Sequence, residues 1–294
     1  MKFYDLIKSL ILFLIFLQIV PFFIKNIRDQ YHDLIKDKTV VGIVPFKKPL
    51  TDAEPYIKNL TEFFKNTSIK AIVLKMDCPG GAAGSSQTIF NELKALKKKY
   101  PKPVIVFVEN VCASGAYYVA CGADVIIASP SAFIGSIGVY IPRPELKEFI
   151  EQFKIKYSVV KTGSFKTVGD PFLADTPEQL AMLQSLTNAT YKQFIEDVAA
   201  QRSKLALANA SSWAEGKIFT GTQALDLGII DKVGSPATVE QELRERIDVV
   251  GEIEWRKACE PSTFAKFFSD VDAESFASLV ADKLMYHKGL QAHA

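Results

Sequence analysis

The sequence predicts an α/β fold built on a central, largely parallel sheet. Short β-branched runs alternate with helical segments along most of the chain, the pattern of strands joined by crossover helices. The runs are apolar almost throughout, which suits strands covered on both faces better than the in-out alternation of a half-exposed antiparallel sheet. With 294 residues the chain is long enough for one large domain, or two small ones, with an appendage at either end.

Taken in order, Leu6 to Ile24 is apolar except for Lys8, Ser9, Gln18 and Pro21, close to the roughly 20 residues that span a bilayer. No small-x-small cleavage site follows, so residues 1–25 are expected to form an uncleaved, single-pass signal-anchor transmembrane helix. Lys25, Arg28, Lys36 and Lys38 rival Lys2 and Lys8 in charge, so the positive-inside rule gives no orientation. Residues 26–38 read as a polar stalk or short connecting helix.

The domain expected at 39–235 has strand candidates at Val40–Phe46, Lys70–Asp77, Pro103–Asn110, Asp124–Pro130 and Lys156–Gly163. Helices are expected at about Asp52–Lys65, Ser85–Lys99, Gly115–Cys121, Glu145–Phe153 and Thr222–Leu227. A longer one should run from Thr176, where TPEQ supplies an N-cap, a first-turn proline and a capping-box glutamine, to about Arg202. Residues 236–294 read as a C-terminal helical extension, with helices near Pro236–Arg246 and Ala273–Tyr286.

A net charge of +2 with interspersed signs gives no basic field, so nucleic acid is not an expected partner. The densest basic run, Lys94 to Lys102, reads as a solvated helix C-terminus. The four cysteines are too few for a disulfide scaffold and are expected as free, mostly buried thiols. No ligand spacing suggests a metal, and no cofactor is expected.

Chemistry concentrates where three strand ends open into small residues: MDCPGGAAGSS, VCASGAYY and AFIGSIGV. In open α/β sheets, sites are built at the carboxyl ends of strands. Ser114 is a candidate nucleophile, and a nucleophilic serine needs a base. The three histidines, His32, His287 and His293, lie in the stalk or the last eight residues, so the domain body offers none. A lysine enclosed by apolar groups is the other chemical solution. Lys166, in GSFKTVGDPF, has Phe165, Val168 and Phe172 around it and glycines on either side. Gly80-Gly81 and Gly115 could present backbone N–H groups to an oxyanion. Taken alone, Ser114 also reads as an ordinary helix N-cap, Gly80-Gly81 as a plain turn and Lys166 as a surface lysine.

Together the segments resemble the signal peptide peptidase A family, also called protease IV: membrane-anchored Ser-Lys peptidases with the crotonase and Clp-protease type of β-β-α superhelix. The matching order is DCPGG (Asp77 to Gly81), ASGAYYVACGAD (Ala113 to Asp124), GSIGV (Gly135 to Val139), GSFKTVGDPF (Gly163 to Phe172) and FTGTQALDLGIID (Phe219 to Asp231). The resemblance implies Ser114 as nucleophile, Lys166 as general base, Ser136 as the serine that hydrogen-bonds the lysine, and Gly81 and Gly115 as oxyanion donors. It also implies a homo-oligomer with active sites shared between subunits, peptide substrates such as signal-peptide remnants, and a catalytic domain outside the cytoplasm. Cys78 departs from the serine usual in the family, and Cys112 and Ala116 are further small-for-small changes. An acyl-CoA enzyme of the same fold and a non-catalytic membrane scaffold are the rival readings, and the terminal QAHA is expected as a plain loose tail, with self-trimming as its alternative.

Overall fold

The computed structural model describes residues 13, 15–22, 24–25 and 37–258. Most of the expected anchor and stalk, the helix expected at Ala273–Tyr286, the QAHA end and Cys259 lie outside the described residues. Those described between 13 and 25 are helical, and Phe13, Phe16, Leu17 and Phe22 among them are exposed. Among the described residues no helix is long and apolar enough to cross a membrane.

The fold is mixed α/β around one eight-stranded, largely parallel sheet. The strands are β1 (Lys38–Phe46), β2 (Ile69–Cys78), β3 (Val104–Ala113), β4 (Val125–Ala128), β5 (Phe133–Gly135), β6 (Ile218–Thr220), β7 (Lys232–Val233) and β8 (Glu252–Lys257). The main path runs β6-β5-β3-β2-β1-β8, with β4 pairing β3 and β7 pairing β4. Every pairing is parallel except that of β5 with β6. The helices are α1 (Glu54–Lys65), α2 (Ala83–Lys99), α3 (Gly115–Ala120), α4 (Lys147–Gln152), α5 (Pro177–Gln201), α6 (Ala210–Trp213), α7 (Gly221–Leu227) and α8 (Pro236–Arg246).

The first four β-branched runs became strands because both their faces are covered. Val41, Ala71, Val73, Ile105, Phe107, Val125 and Ile127 form one core with Val239 and Leu243 of α8. The opposite face of the sheet is closed by α1, which packs on β1 and β2, with α2 beside it. Lys156–Gly163, the fifth expected strand, pairs with nothing: it is irregular and exposed, and Val160 is fully open to solvent. An apolar run signals burial in general, not burial in a sheet of the same chain. Conversely, Glu252–Lys257, read from sequence as part of a helical extension, is a strand beside β1.

The long α5 starts where TPEQ directs it. Thr176 Oγ1 accepts from Gln179 N–H at 3.3 Å, and Thr176 N–H donates to Gln179 Oε1 at 2.9 Å. Its far end is fixed by Arg202, whose guanidinium donates to both oxygens of Asp231 at 2.9 and 2.8 Å. Asp231 also accepts the Ile126 N–H at 2.8 Å, so the pair ties α5 to β4. Removing the buried cation empties its site and leaves the Asp231 carboxylate with one partner fewer. Arg202→Ala should therefore lower unfolding free energy by about 2 kcal/mol, read as a fall in the urea midpoint with unchanged slope.

Candidate active site

β2, β3 and β5 end together. Cys78 is paired with Cys112, Cys112 with Ile134, and Ala113 with Gly135, so the three small-residue segments leave the sheet along one edge. Between Met76 and Cys78 the register with β3 shifts, and β3 changes its other neighbour from β4 to β5 over the same stretch.

Ser114 occupies the N-cap position of α3, but it does not behave as a cap. Its φ of 51° and ψ of −126° lie outside the extended region that capping residues adopt, and its hydroxyl accepts no helix amide. A non-glycine residue in such a conformation costs on the order of 1–3 kcal/mol and persists only where its surroundings over-determine it. Here Ser114 N–H donates to Gly135 O at 2.7 Å, Tyr118 N–H donates to Ser114 O at 3.0 Å, and every residue of α3 is buried. The hydroxyl is left free of structural duty and lines an open cavity.

Two amides lie beside it. Gly115 is the first residue of α3, so its N–H has no acceptor within the helix. Gly81 forms a parallel bridge with Leu50: Leu50 N–H donates to Gly80 O at 2.7 Å, and Ala82 N–H donates to Leu50 O at 2.8 Å. Those bonds use the groups flanking Gly81, so its own N–H points away from Leu50. The two sites touch, since a β-carbon built on Gly115 would lie 3.4 Å from the Gly81 nitrogen. Neither position admits a side chain: on Gly81 it would meet Leu50 O at 2.4 Å, and on Gly115 it would meet Ser86 Oγ at 2.1 Å. Paired free amides next to an unengaged hydroxyl are the elements of an oxyanion hole.

Ser136 repeats the geometry of Ser114 one strand over, with φ of 51° and its N–H donating to Lys217 O at 2.6 Å. Both serines and Gly81 line a cavity of about 790 Å³. Lys166 does not: it is exposed, on an irregular turn between Gly163 and Gly169, and Phe165 beside it is exposed as well. The sequence therefore named four residues that the structure gathers, Gly81, Ser114, Gly115 and Ser136, and one that lies apart within this chain.

The cavity also has a polar wall that the sequence reading missed, made of Gln184, Thr187, Asn188 and Tyr191 of α5 with Glu215. The signal was present, since these four positions follow the i, i+3, i+4, i+7 spacing of one helix face. Tyr191 Oη donates to Glu215 Oε1 at 2.7 Å, and burial, then this carboxylate, push the phenol above its ordinary value. Behind Ser114, Tyr118 of α3 stacks on Phe194 with ring centroids 4.5 Å apart and donates its hydroxyl to Asp197, which fixes α5 against α3. Cys78, Cys112 and Cys121 are free and buried.

A profile for peptidase family S49 matches residues 96–250, more than half of the sequence. The chain belongs to peptidase family S49. A putative protease of Methanocaldococcus jannaschii is 35% identical over 208 residues, covering 71% of this chain and 65% of that one. Another, from Synechocystis, is 36% identical over 171 residues, covering 58% and 61%. A putative signal peptide peptidase SppA of Enterococcus faecium is 27% identical over 189 residues, covering 64% and 54%. The chain thus spans just under two thirds of the length of the first two relatives. Its S49 membership joins it to the signal peptide peptidase A and protease 4 proteins that its motifs resemble.

The crowding at Gly115 is a direct test of this geometry. Gly115→Ala should abolish turnover and destabilise the protein by about 1–3 kcal/mol through the clash with Ser86 Oγ. Combining it with Ser86→Gly should return most of the thermal stability, measured by differential scanning fluorimetry.

Proposed function

We propose that this S49 protein is a membrane-anchored serine endopeptidase that hydrolyses signal-peptide remnants and other membrane-associated peptides through a Ser114–Lys166 dyad, on the crotonase and Clp-protease type of superhelix. The observation that carries the proposal is Ser114 held in a strained turn with a free hydroxyl beside two unengaged amides.

In this mechanism the neutral amine of Lys166 takes the Ser114 proton as Oγ attacks the peptide carbonyl carbon. The carbonyl oxygen becomes an oxyanion held by the Gly81 and Gly115 N–H groups. The resulting ammonium gives its proton to the leaving nitrogen as the C–N bond breaks, leaving an acyl-serine. Lys166 then deprotonates a water that attacks the ester, and the proton returns to Ser114 as the acid product leaves. Ser136, on the cavity wall, orients the lysine amine.

Lys166 reaches Ser114 of a neighbouring copy in this reading. Support comes from the exposed position of Lys166 and from the exposed apolar side chains in the segment leading to it, among them Tyr140, Phe149, Phe153, Val160 and Phe165. Such a surface suits an interface between copies, and burial there would enclose an amine among apolar groups. The exposed apolar residues between 13 and 25 support the anchor, and the family resemblance supports a catalytic domain outside the cytoplasm.

Covalent labelling by a fluorophosphonate tests the chemistry. Wild-type protein should be labelled, and Ser114→Ala should not; a folded wild type that resists labelling overturns the peptidase reading. Sharing of the dyad has its own test. Ser114→Ala and Lys166→Ala, each inactive alone, should regain peptidase activity when co-assembled, and no recovery in mixed assemblies would show that each chain completes its own site. For the anchor, alkaline carbonate should leave the full chain in the membrane pellet and release a variant lacking residues 1–25.

A further inference from the structure

Cys78 is the last residue of β2 and is fully buried, yet the mechanism above gives it no part. Its sulfur is engaged on both sides. Gly80 N–H donates to Cys78 Sγ at 3.4 Å, and the thiol donates to Lys48 O at 3.0 Å. Gly80 O lies farther away, at 3.7 Å, and a thiol has one proton, so Lys48 takes it. Burial pushes the Cys78 thiol above its ordinary value, which keeps that proton in place at neutral pH.

The side-chain-to-N–H contact from one residue to the second residue on is the local turn that serine and aspartate make with their oxygens. What it restrains is unusual. Gly80 has φ of 105° and Gly81 φ of 157°, so the donor segment is two glycines with no side chain of their own to hold them. Three bonds tie this segment to residues 48–50: the thiol to Lys48 O, Leu50 N–H to Gly80 O, and Ala82 N–H to Leu50 O. The thiol also takes up the Gly80 N–H, so that of the two glycine amides the one at Gly81, directed away from Leu50 and beside Gly115, is left free.

We infer that Cys78 is a positioning residue for the oxyanion hole: its thiol, bridging Lys48 O and the Gly80 N–H, fixes the Pro79–Gly80 turn so that the Gly81 N–H stays aimed at the reacting carbonyl. The inference rests on the peptidase reading above. It accounts for why the position holds a group that both accepts and donates.

The experiment compares full-length wild type, Cys78→Ala and Cys78→Ser on a fluorogenic peptide, with kcat and KM separated. It adds the affinity of each for a peptide boronic acid, whose tetrahedral adduct fills the oxyanion hole. Uncleaved-peptide binding is measured in a Ser114→Ala background. Cys78→Ala should lower kcat by about 10–100-fold, with KM and uncleaved-peptide affinity within about 2-fold of wild type, and boronate affinity falling in step with kcat. Cys78→Ser should return kcat to within a few-fold of wild type. If Cys78→Ala does not fold, Cys78→Val fills the space without accepting or donating and gives the same comparison. Wild-type kcat in a folded Ala or Val variant overturns the inference, as does equal loss of kcat and peptide affinity in the Ser and Ala variants. A wild type that neither cleaves peptide nor takes fluorophosphonate at Ser114 fails at the peptidase reading itself, before the variants are compared.

Discussion

The short ladder between β3 and β5 is the constraint on which the site depends. Only three residue pairs make it, ending at Ala113 and Gly135, and it continues as the Ser114 N–H bond to Gly135 O. Because β3 spends its first half against β4 and its last three residues against β5, the end of the strand is steered by a different neighbour from its beginning. The chain then has to turn abruptly into α3, which is buried along its whole length and cannot move outward to ease the bend. The strain collects at Ser114, and the same bend frees the first amide of the helix. The unengaged Ser114 hydroxyl and the free Gly115 amide are thus two results of one backbone event. Ser136 leaves the paired strand with the same φ, its N–H held by Lys217 O.

Small side chains around the turn follow from this packing. Ala113 and Ala116 are buried, and Gly115 lies so near Ser86 Oγ that even a methyl group cannot be placed. On the other side, Gly81 is pressed against the Leu50 backbone. Gly81 is required by close approach of backbone to backbone and Gly115 by the Ser86 side chain, and this crowding brings the two amides side by side. A sheet edge that tolerated larger residues here would hold its amides too far apart to share an oxygen.

These requirements explain what the sequence made legible. Strands β1 to β4 were readable because burial on both faces forces apolar residues along most of each strand. The strands β5, β6 and β7 were not, since two or three residues carry no period, and β8 alternates charged and apolar side chains as an edge strand does. Lys156–Gly163 carries the apolar signal of a strand but has no partner strand within one chain. At the site, Gly81, Ser114, Gly115 and Ser136 could be named because backbone constraints leave a mark in residue type. The Gln184–Tyr191 face went unread, because a polar stripe on a long helix looks the same whether it meets solvent or lines a cavity. That Ser114 caps nothing could not be read at all, since serine is equally at home in either role until φ is known.

The rigidity of the half of the site built by β2, β3 and β5 contrasts with the setting of Lys166. Every group that would hold the oxyanion is backbone, fixed by strand pairing, by the Leu50 bridge and by a buried helix, and a hole built this way needs no reorganisation as charge develops. A general base has the opposite requirement, because it must approach the hydroxyl, accept a proton and give it to a departing amine. The lysine that the family resemblance assigns to that task stands on a glycine-flanked turn, amid apolar side chains that this chain leaves uncovered. An assembly that delivers it from a neighbour would make the complete dyad conditional on association, while the isolated fold would carry only the pre-set oxyanion half. For a protease, whose activity away from its proper surroundings is harmful, such a division would tie peptide cleavage to the assembled state without any separate inhibitory element.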